Sequence, residues 1–292
     1  MTASSRTLAS ARAYRIASVR MSLIDAPQAR REALKELYTQ ARACERCPQL
    51  AQTRTQVVFG AGNANADVLF VGEAPGGKED EQGVPFVGAA GKLLSKLLEG
   101  VGLSRETVFI ANVLKCRPPQ NRDPLPQEIE RCEPWRWRQF ELIEPIVVIT
   151  LGRYATGLLR GEMVPLNSVR GKPEVRVIGT RAVRLFPVLH PAAALYRRDP
   201  NLRLLEEDFA RIPELLAQGA PEQPAMDAEV AAPQARVAAP TAEPATEPGP
   251  APRAGSLPDR GAASGPAAEP APADPPAVAS AVAEAADQLG LF

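Results

Sequence analysis

The stretch that most narrows what this chain can fold into is residues 68–98, VLFVGEAPGGKEDEQGVPFVGAAGKLLSKLL. An apolar run from Val68 to Val71 reads as a buried strand, a Gly- and Pro-rich loop follows, and helical spacing resumes at about Gly88. Strand, glycine loop and helix in that order form a ligand cradle. The backbone can approach a ligand closely at Gly72, Gly76 and Gly77, and the N–H groups of a helix start near Gly88 suit a phosphate. Taken alone, the pattern fits many α/β proteins.

The rest of the chain repeats the alternation. Strands are predicted at Val108 to Val113, Ile146 to Leu151, Val175 to Ile178 and Val183 to Leu189. Helices are predicted over 27–43, with Leu34, Leu37 and Tyr38 on one face, and from Gly88 to about Gly102. Further helices are predicted from Pro126 to Ile143, after Gly152, and from Asn201 to about Leu216. Continuous apolar strands between helices predict a mostly parallel sheet covered on both faces, with ligands at the carboxyl ends of its strands. Glu73, Asn112 and His190 stand at strand ends and can converge on one crevice.

With 34 basic and 34 acidic residues the formal net charge is zero, which does not mark a nucleic-acid binder. The basic residues nevertheless crowd into 105–203, so a local basic face is compatible with the composition. No apolar run reaches the roughly 20 residues of a membrane span, and no secretory segment opens the chain, so a soluble cytoplasmic protein without membrane contact is expected. Residues 1–26 read as a disordered extension. Arg6, Arg12, Arg15 and Arg20 without an acid have the form of a transit peptide, but Met21 favours an extended start that carries no chemistry.

After about Ala217 the composition turns to Pro, Ala, Glu and Gly, and no aromatic residue occurs between Phe209 and Phe292. Such a segment cannot bury enough surface to offset the entropy of ordering, so 217–287 is predicted to be a disordered tether behind a folded domain at 27–216. Residues 288–292, QLGLF, place Leu289, Leu291 and Phe292 at the end of that solvated tail, as a random apolar terminus or a short linear motif.

Four cysteines complete the inventory: Cys44 and Cys47 as a CxxC pair, then Cys116 and Cys132. In a chain expected to be intracellular, such a set points to a metal before disulfides. Zinc and an iron–sulfur cluster suit four thiolates about equally by pattern alone.

GEAPGGKEDEQGVPFVGAAGKLL, Asn112 in FIANVLKCRPPQNRDP, the cysteine spacing and HPAAALYR at His190 closely resemble the family 4 uracil-DNA glycosylases, the iron–sulfur branch of that superfamily. The resemblance covers about Ala43 to Leu216. It implies a three-layer α/β/α sandwich with a central, mostly parallel four-stranded sheet, and a monomeric enzyme that hydrolyses deoxyuridine in DNA to uracil and an abasic site. It also implies that Cys44, Cys47, Cys116 and Cys132 hold a 4Fe–4S cluster of structural role, which would fix Arg117, Arg122 and Arg131 where they can meet phosphates.

In the site so implied, Phe86 is the aromatic floor for the flipped base. Asn112 donates to uracil O4 and accepts from N3–H, a pattern cytosine reverses, and His190, the only histidine, donates to O2 as charge builds there. Gly72, Glu73 and Ala74 line the same pocket. Ala74 stands where another branch carries a water-activating Asp, so no strong general base is evident, and Glu73 is a candidate to orient water or to act as a structural partner. Gly76 stands where that branch carries a thymine-blocking Tyr, which leaves the exclusion of thymine unassigned. In AAALYRR, Leu195 resembles the wedge that fills the gap left in the duplex, with Arg197 and Arg198 on phosphates. QLGLF resembles the peptide with which bacterial repair proteins bind the sliding clamp, using Gln288, Leu289, Leu291 and Phe292. A tether of about 70 residues with a reach of about 45–50 Å would let a clamp-bound, nucleoid-associated enzyme search nearby DNA. The competing reading is a non-catalytic DNA-binding scaffold of the same fold. A branch that becomes covalently linked to uracil-DNA through an extra histidine is disfavoured by the single His190.

Overall fold

The computed structural model describes residues 26–196 and 198–224. Six strands form one sheet: β1 (Ala61–Gly62), β2 (Val68–Gly72), β3 (Phe109–Asn112), β4 (Val147–Leu151), β5 (Glu174–Ile178) and β6 (Arg181–Val188), in the order β1-β3-β2-β4-β6-β5. The four inner strands are mutually parallel, and β1 and β5 close the two edges antiparallel. The expected four-stranded sheet is therefore the centre of a six-stranded one. The two-residue β1 is too short to leave a periodic signal, and β5, with Val175 and Val177 exposed, pairs back onto β6 across a tight turn at Gly179.

Side chains of the inner strands alternate between two cores, as the pleat requires. Leu69, Val71, Phe109, Ala111, Val148, Val183 and Leu185 face one side. Val68, Phe70, Ile110, Val147, Ile149, Leu151, Phe186 and Val188 face the other. Burial on both faces explains why these strands read as unbroken apolar runs.

The first face is covered by α1 (Ala26–Arg42), α2 (Pro48–Thr53), α5 (Pro126–Ile143) and α6 (Arg153–Arg160), through Leu34, Leu50, Phe140 and Leu159. The second is covered by α4 (Ala89–Glu99), α9 (Arg198–Phe209) and α10 (Ile212–Ala217), through Leu94, Leu98, Leu205, Phe209 and Ile212. The result is a three-layer sandwich. Short helices α3 (Gly77–Gln82), α7 (Leu166–Val169) and α8 (Ala192–Tyr196) lie in the connections. The sequence predicts loop where α3 forms, because GKEDEQ carries no apolar face.

α5 begins where Pro126 occupies the first turn and the Glu128 carboxylate accepts the Leu125 N–H at 2.9 Å, and it ends at Glu144 in the left-handed conformation (φ 53°). The closing helix expected over 201–216 is instead two helices, broken between Phe209 and Ile212, with Pro213 opening the second. No helix among the described residues is long and apolar enough to cross a membrane. The extension at 1–25 and the tail from 225 onward, including Gln288, Leu289, Leu291 and Phe292, lie outside the described residues.

Candidate active site

β2 and β3 end level, with Gly72 paired to Asn112, and β4 and β6 end level at Leu151 and Val188. The segments that leave those four ends form one crevice. Gly72 is a contact point rather than a hinge: a Cβ there would stand 2.3 Å from Asn112 Oδ1 and 2.6 Å from Phe86 Cζ. The Asn112 side chain is buried, and its Oδ1 has no hydrogen-bond partner among the described residues. An orphaned buried acceptor costs about 1–3 kcal/mol, which is tolerated where a ligand donor completes it.

The Phe86 ring lies beside the His190 ring, centroids 5.6 Å apart and planes at 32°. Phe86 adopts φ 55°, an unfavourable conformation for an aromatic residue. Three neighbours hold it there. Arg105 donates to the carbonyls of Phe86 at 3.0 Å and Pro85 at 2.6 Å. Glu79 Oε1 accepts the N–H groups of Val87 at 3.0 Å and Gly88 at 2.9 Å. Gly91 packs so tightly that a Cβ would fall 1.7 Å from the Phe86 oxygen. The carboxylate of Glu79 thus occupies the helix start expected to receive a phosphate.

His190 follows β6, against Gly152 (φ 90°), where an added Cβ would stand 3.1 Å from the His190 Cβ. His190 Nδ1 accepts the Ala192 N–H at 3.2 Å, which leaves the ring proton on Nε2. Burial lowers its pKa to about 4, against a smaller opposing effect of Glu79, so the ring is neutral at ordinary pH. Beyond His190 an open groove is lined by Gly152, Arg153, Met163, Pro165 and Leu189.

Glu73 is half-buried, and its pKa is raised by burial and by the Asp123 carboxylate, with Arg153 opposing. Asp123 itself accepts from the Tyr154 hydroxyl and from Arg153 at 3.0 Å, tying the 117–125 loop to the start of α6. Ala74 packs against the first core.

The four cysteines converge on one small pocket that Arg54, Leu114, Lys115 and Trp135 also line. Three donors point at sulfurs, each at 3.3 Å: Arg54 Nη1 to Cys116, the Lys115 N–H to Cys132, and Trp135 Nε1 to Cys44. Burial, ahead of other influences, pushes the Cys116 thiol up to about 11. Four clustered thiols, Cys116 and Cys132 buried and Cys44 and Cys47 half-buried, with sulfur-directed donors suit a thiolate-ligated centre, whose positive metal would offset the cost of ionising them. No three of the described His, Cys, Asp or Glu side chains stand at the spacing of a single-ion site.

The sequence signature of the uracil DNA glycosylase superfamily matches residues 59–212. Over 190 residues the chain is 46% identical to the type-4 uracil-DNA glycosylase of Sulfurisphaera tokodaii, covering 63% of this chain and 85% of that protein. The type-4 enzyme of Archaeoglobus fulgidus is 46% identical over 196 residues, 65% of this chain and 96% of the relative. That of Saccharolobus solfataricus is 48% identical over 183 residues, 61% of this chain and 84% of the relative. This chain belongs to the type-4 uracil-DNA glycosylases.

Of the residues a type-4 glycosylase was expected to use here, Gly72, Phe86, Asn112 and His190 come together at the strand ends, with Glu73 beside them. Leu195 is exposed (42%) on α8, Arg197 lies outside the described residues, and Arg198 opens α9. Arg122 is not free for phosphate: both its terminal nitrogens engage Glu128, at 2.9 and 2.5 Å. Arg117 bonds Asn121 at 2.8 Å, and Arg131 is exposed. Glu79, Gly91 and Arg105 went unread in the sequence, since each acts on a backbone segment remote from it along the chain.

Proposed function

We propose that this type-4 glycosylase reads a flipped-out uracil with Phe86, Asn112 and His190 and hydrolyses its bond to deoxyribose, leaving an abasic site as the first step of base excision repair. Uracil-DNA glycosylase activity is what the family membership carries. The observation that supports the residue roles is the buried, unpartnered Oδ1 of Asn112 between Gly72 and Phe86. Uracil N3–H supplies the missing donor, and the amide N–H₂ of Asn112 donates to O4. Cytosine offers an acceptor where a donor is needed, which leaves both groups unpaired and rejects it strongly.

In the reaction the C1′–N1 bond breaks, its electron pair leaves with uracil, and the oxygen of water bonds C1′. One proton from water ends on the departing base. His190 Nε2–H donates to O2, where negative charge accumulates, and the ring does so as neutral imidazole. With Ala74 turned to the core, no carboxylate takes the water proton at that position. Rate arises mainly from stabilising the departing anion, and Glu73 orients the water.

Cys44, Cys47, Cys116 and Cys132 hold a 4Fe–4S cluster in this reading. Bound there, it supplies a cross-link between the α1–α2 connection, the end of β3 and α5. Leu195 enters the duplex and Arg197 and Arg198 hold phosphates. The chain acts as a monomer on uracil-containing DNA, and Gln288, Leu289, Leu291 and Phe292 dock the sliding clamp at the end of the 217–287 tether.

Excision from a uracil-containing oligonucleotide, followed by alkaline cleavage, tests this. Wild-type protein cleaves at U and not at C or T, and His190→Ala and Asn112→Ala are strongly impaired. Tight binding without release of uracil by the cluster-loaded wild type would instead indicate a scaffold. Truncation after residue 287 abolishes clamp capture and leaves excision from free oligonucleotides unchanged; clamp capture that survives truncation refutes the peptide assignment.

A further inference from the structure

Lys115 is only 2% exposed, and no carboxylate is among its hydrogen-bond partners. Its ammonium donates to the main-chain oxygen of Asn112 at 2.9 Å and to Gln139 Oε1 at 2.6 Å. Gln139, in turn, donates to the Phe59 carbonyl at 3.0 Å, and the Val58 N–H closes the circuit on the Lys115 carbonyl at 2.7 Å. The Lys115 N–H meanwhile points at Cys132 Sγ. One residue therefore touches both the end of β3 that carries Asn112 and the cysteine centre. Burying a lysine amine is expensive, and a leucine or methionine would fill the same core more cheaply. That expense is explained if the residue fixes a group whose position matters.

We infer that Lys115 is a positioning residue for uracil recognition. Its ammonium locks the main chain of Asn112 and its amide is anchored at Cys132, so the base-reading amide and the cysteine centre move as one body. This rests on the assignment of Asn112 as the base reader. The geometry explains how the cysteine centre serves a hydrolysis that involves no electron transfer. Asn112 gains nothing from a correct side-chain rotamer if its Cα is free to shift. Its Oδ1 packs within reach of Gly72 and the Phe86 ring, so a displacement of about 1 Å either blocks the pocket or opens the hydrogen bond to N3–H.

The test compares Lys115→Met, Gln139→Leu and the conservative Gln139→Glu in full-length, cluster-loaded protein. Four readouts are taken: single-turnover excision, inhibition by free uracil, affinity for DNA with a stable abasic analogue, and iron content. Lys115→Met is expected to lose about ten- to hundredfold in excision and to weaken uracil inhibition in parallel, while abasic-DNA affinity and iron content stay at wild-type values. Gln139→Leu shows a smaller loss in the same direction, and Gln139→Glu, which keeps the acceptor for Lys115 but loses the donor to the Phe59 carbonyl, retains more of the rate than Gln139→Leu. Unchanged excision and uracil inhibition in Lys115→Met overturn the inference. If Lys115→Met loses iron, Gln139→Leu decides, since its Lys115 amide still faces Cys132: a pocket defect with iron retained supports the inference, and no defect overturns it. A wild type that releases no uracil yet binds it would break the glycosylase assignment, not the link through Lys115.

Discussion

The neutral state of His190 has a cost that can be measured as a pH dependence. In the unfolded chain the ring titrates at 6.5, whereas burial brings it to about 4 in the fold. Between those values the unfolded chain binds a proton that the native state does not, so stability falls as pH drops through this window and is fully present only above about 7. For a single group with these two values the loss at about pH 5 amounts to about 2 kcal/mol, approaching about 3 kcal/mol below pH 4. His190→Gln removes this dependence and keeps a neutral donor. Urea unfolding of wild type and variant at about pH 7.5 and about pH 5 isolates the contribution: the stability difference should move by about 2 kcal/mol in the variant's favour on acidification. Single-turnover excision by the wild type should show no limb near 6.5. A rate that falls with a midpoint near 6.5, or a stability difference that does not move, would refute the assignment of a buried neutral imidazole.

Gly72→Ala places a methyl 2.3 Å from Asn112 Oδ1 and should cost about a hundredfold in excision, with abasic-DNA binding unchanged. Arg105→Met removes both donors that hold the Phe86 segment, and is expected to lower stability by about 2 kcal/mol and weaken inhibition by free uracil; unaltered inhibition would show that Phe86 is held without it. Leu195→Ala, at an exposed position, should leave the melting temperature within about 2 °C, yet slow excision from duplex DNA more than from single strands. Cys132→Ala should lose iron stoichiometry and melt at least about 5 °C lower than wild type, as measured by metal analysis and a thermal scan.

The inner sheet was legible because its strands are buried on both faces and so leave unbroken apolar runs such as Val147–Leu151. The edges were legible in part: Val175–Ile178 reads as a strand, but its antiparallel pairing onto β6 does not show in the sequence, and Ala61–Gly62 is too short to carry a period. The site was legible in part for a related reason. Phe86, Asn112 and His190 sit at or just after strand ends, and the order of elements predicts where those ends meet. The groups that hold them are chosen by three-dimensional proximity. Glu79 reaches nine residues along the chain to Gly88, Arg105 nineteen back to Phe86, and Gln139 twenty-four back to Lys115. No local pattern records such contacts. The free helix start expected at Gly88 failed on this point, because an unpaired N–H in the sequence says nothing of the carboxylate the fold brings to it.

The same proximity bears on how a glycosylase works with Ala74 where a base would serve. Glu73 shares its surroundings with Asp123, and burial and that neighbour raise its pKa, with Arg153 opposing. His190 is held neutral and offers a proton only at Nε2, so it cannot serve as a base toward water while it donates to the leaving group. In the proposed mechanism the imidazole is thereby set to stabilise charge on uracil, and Glu73 orients the water. The catalytic advantage of the proposed mechanism lies in geometry that exists before the substrate arrives: a strained Phe86, an Asn112 oxygen unpartnered among the described residues and a pre-set imidazole tautomer. Such preorganisation costs stability in the free enzyme, which gives a physical reason for the elaborate bracing by Glu79, Arg105 and Lys115 around a pocket whose chemistry needs only three side chains.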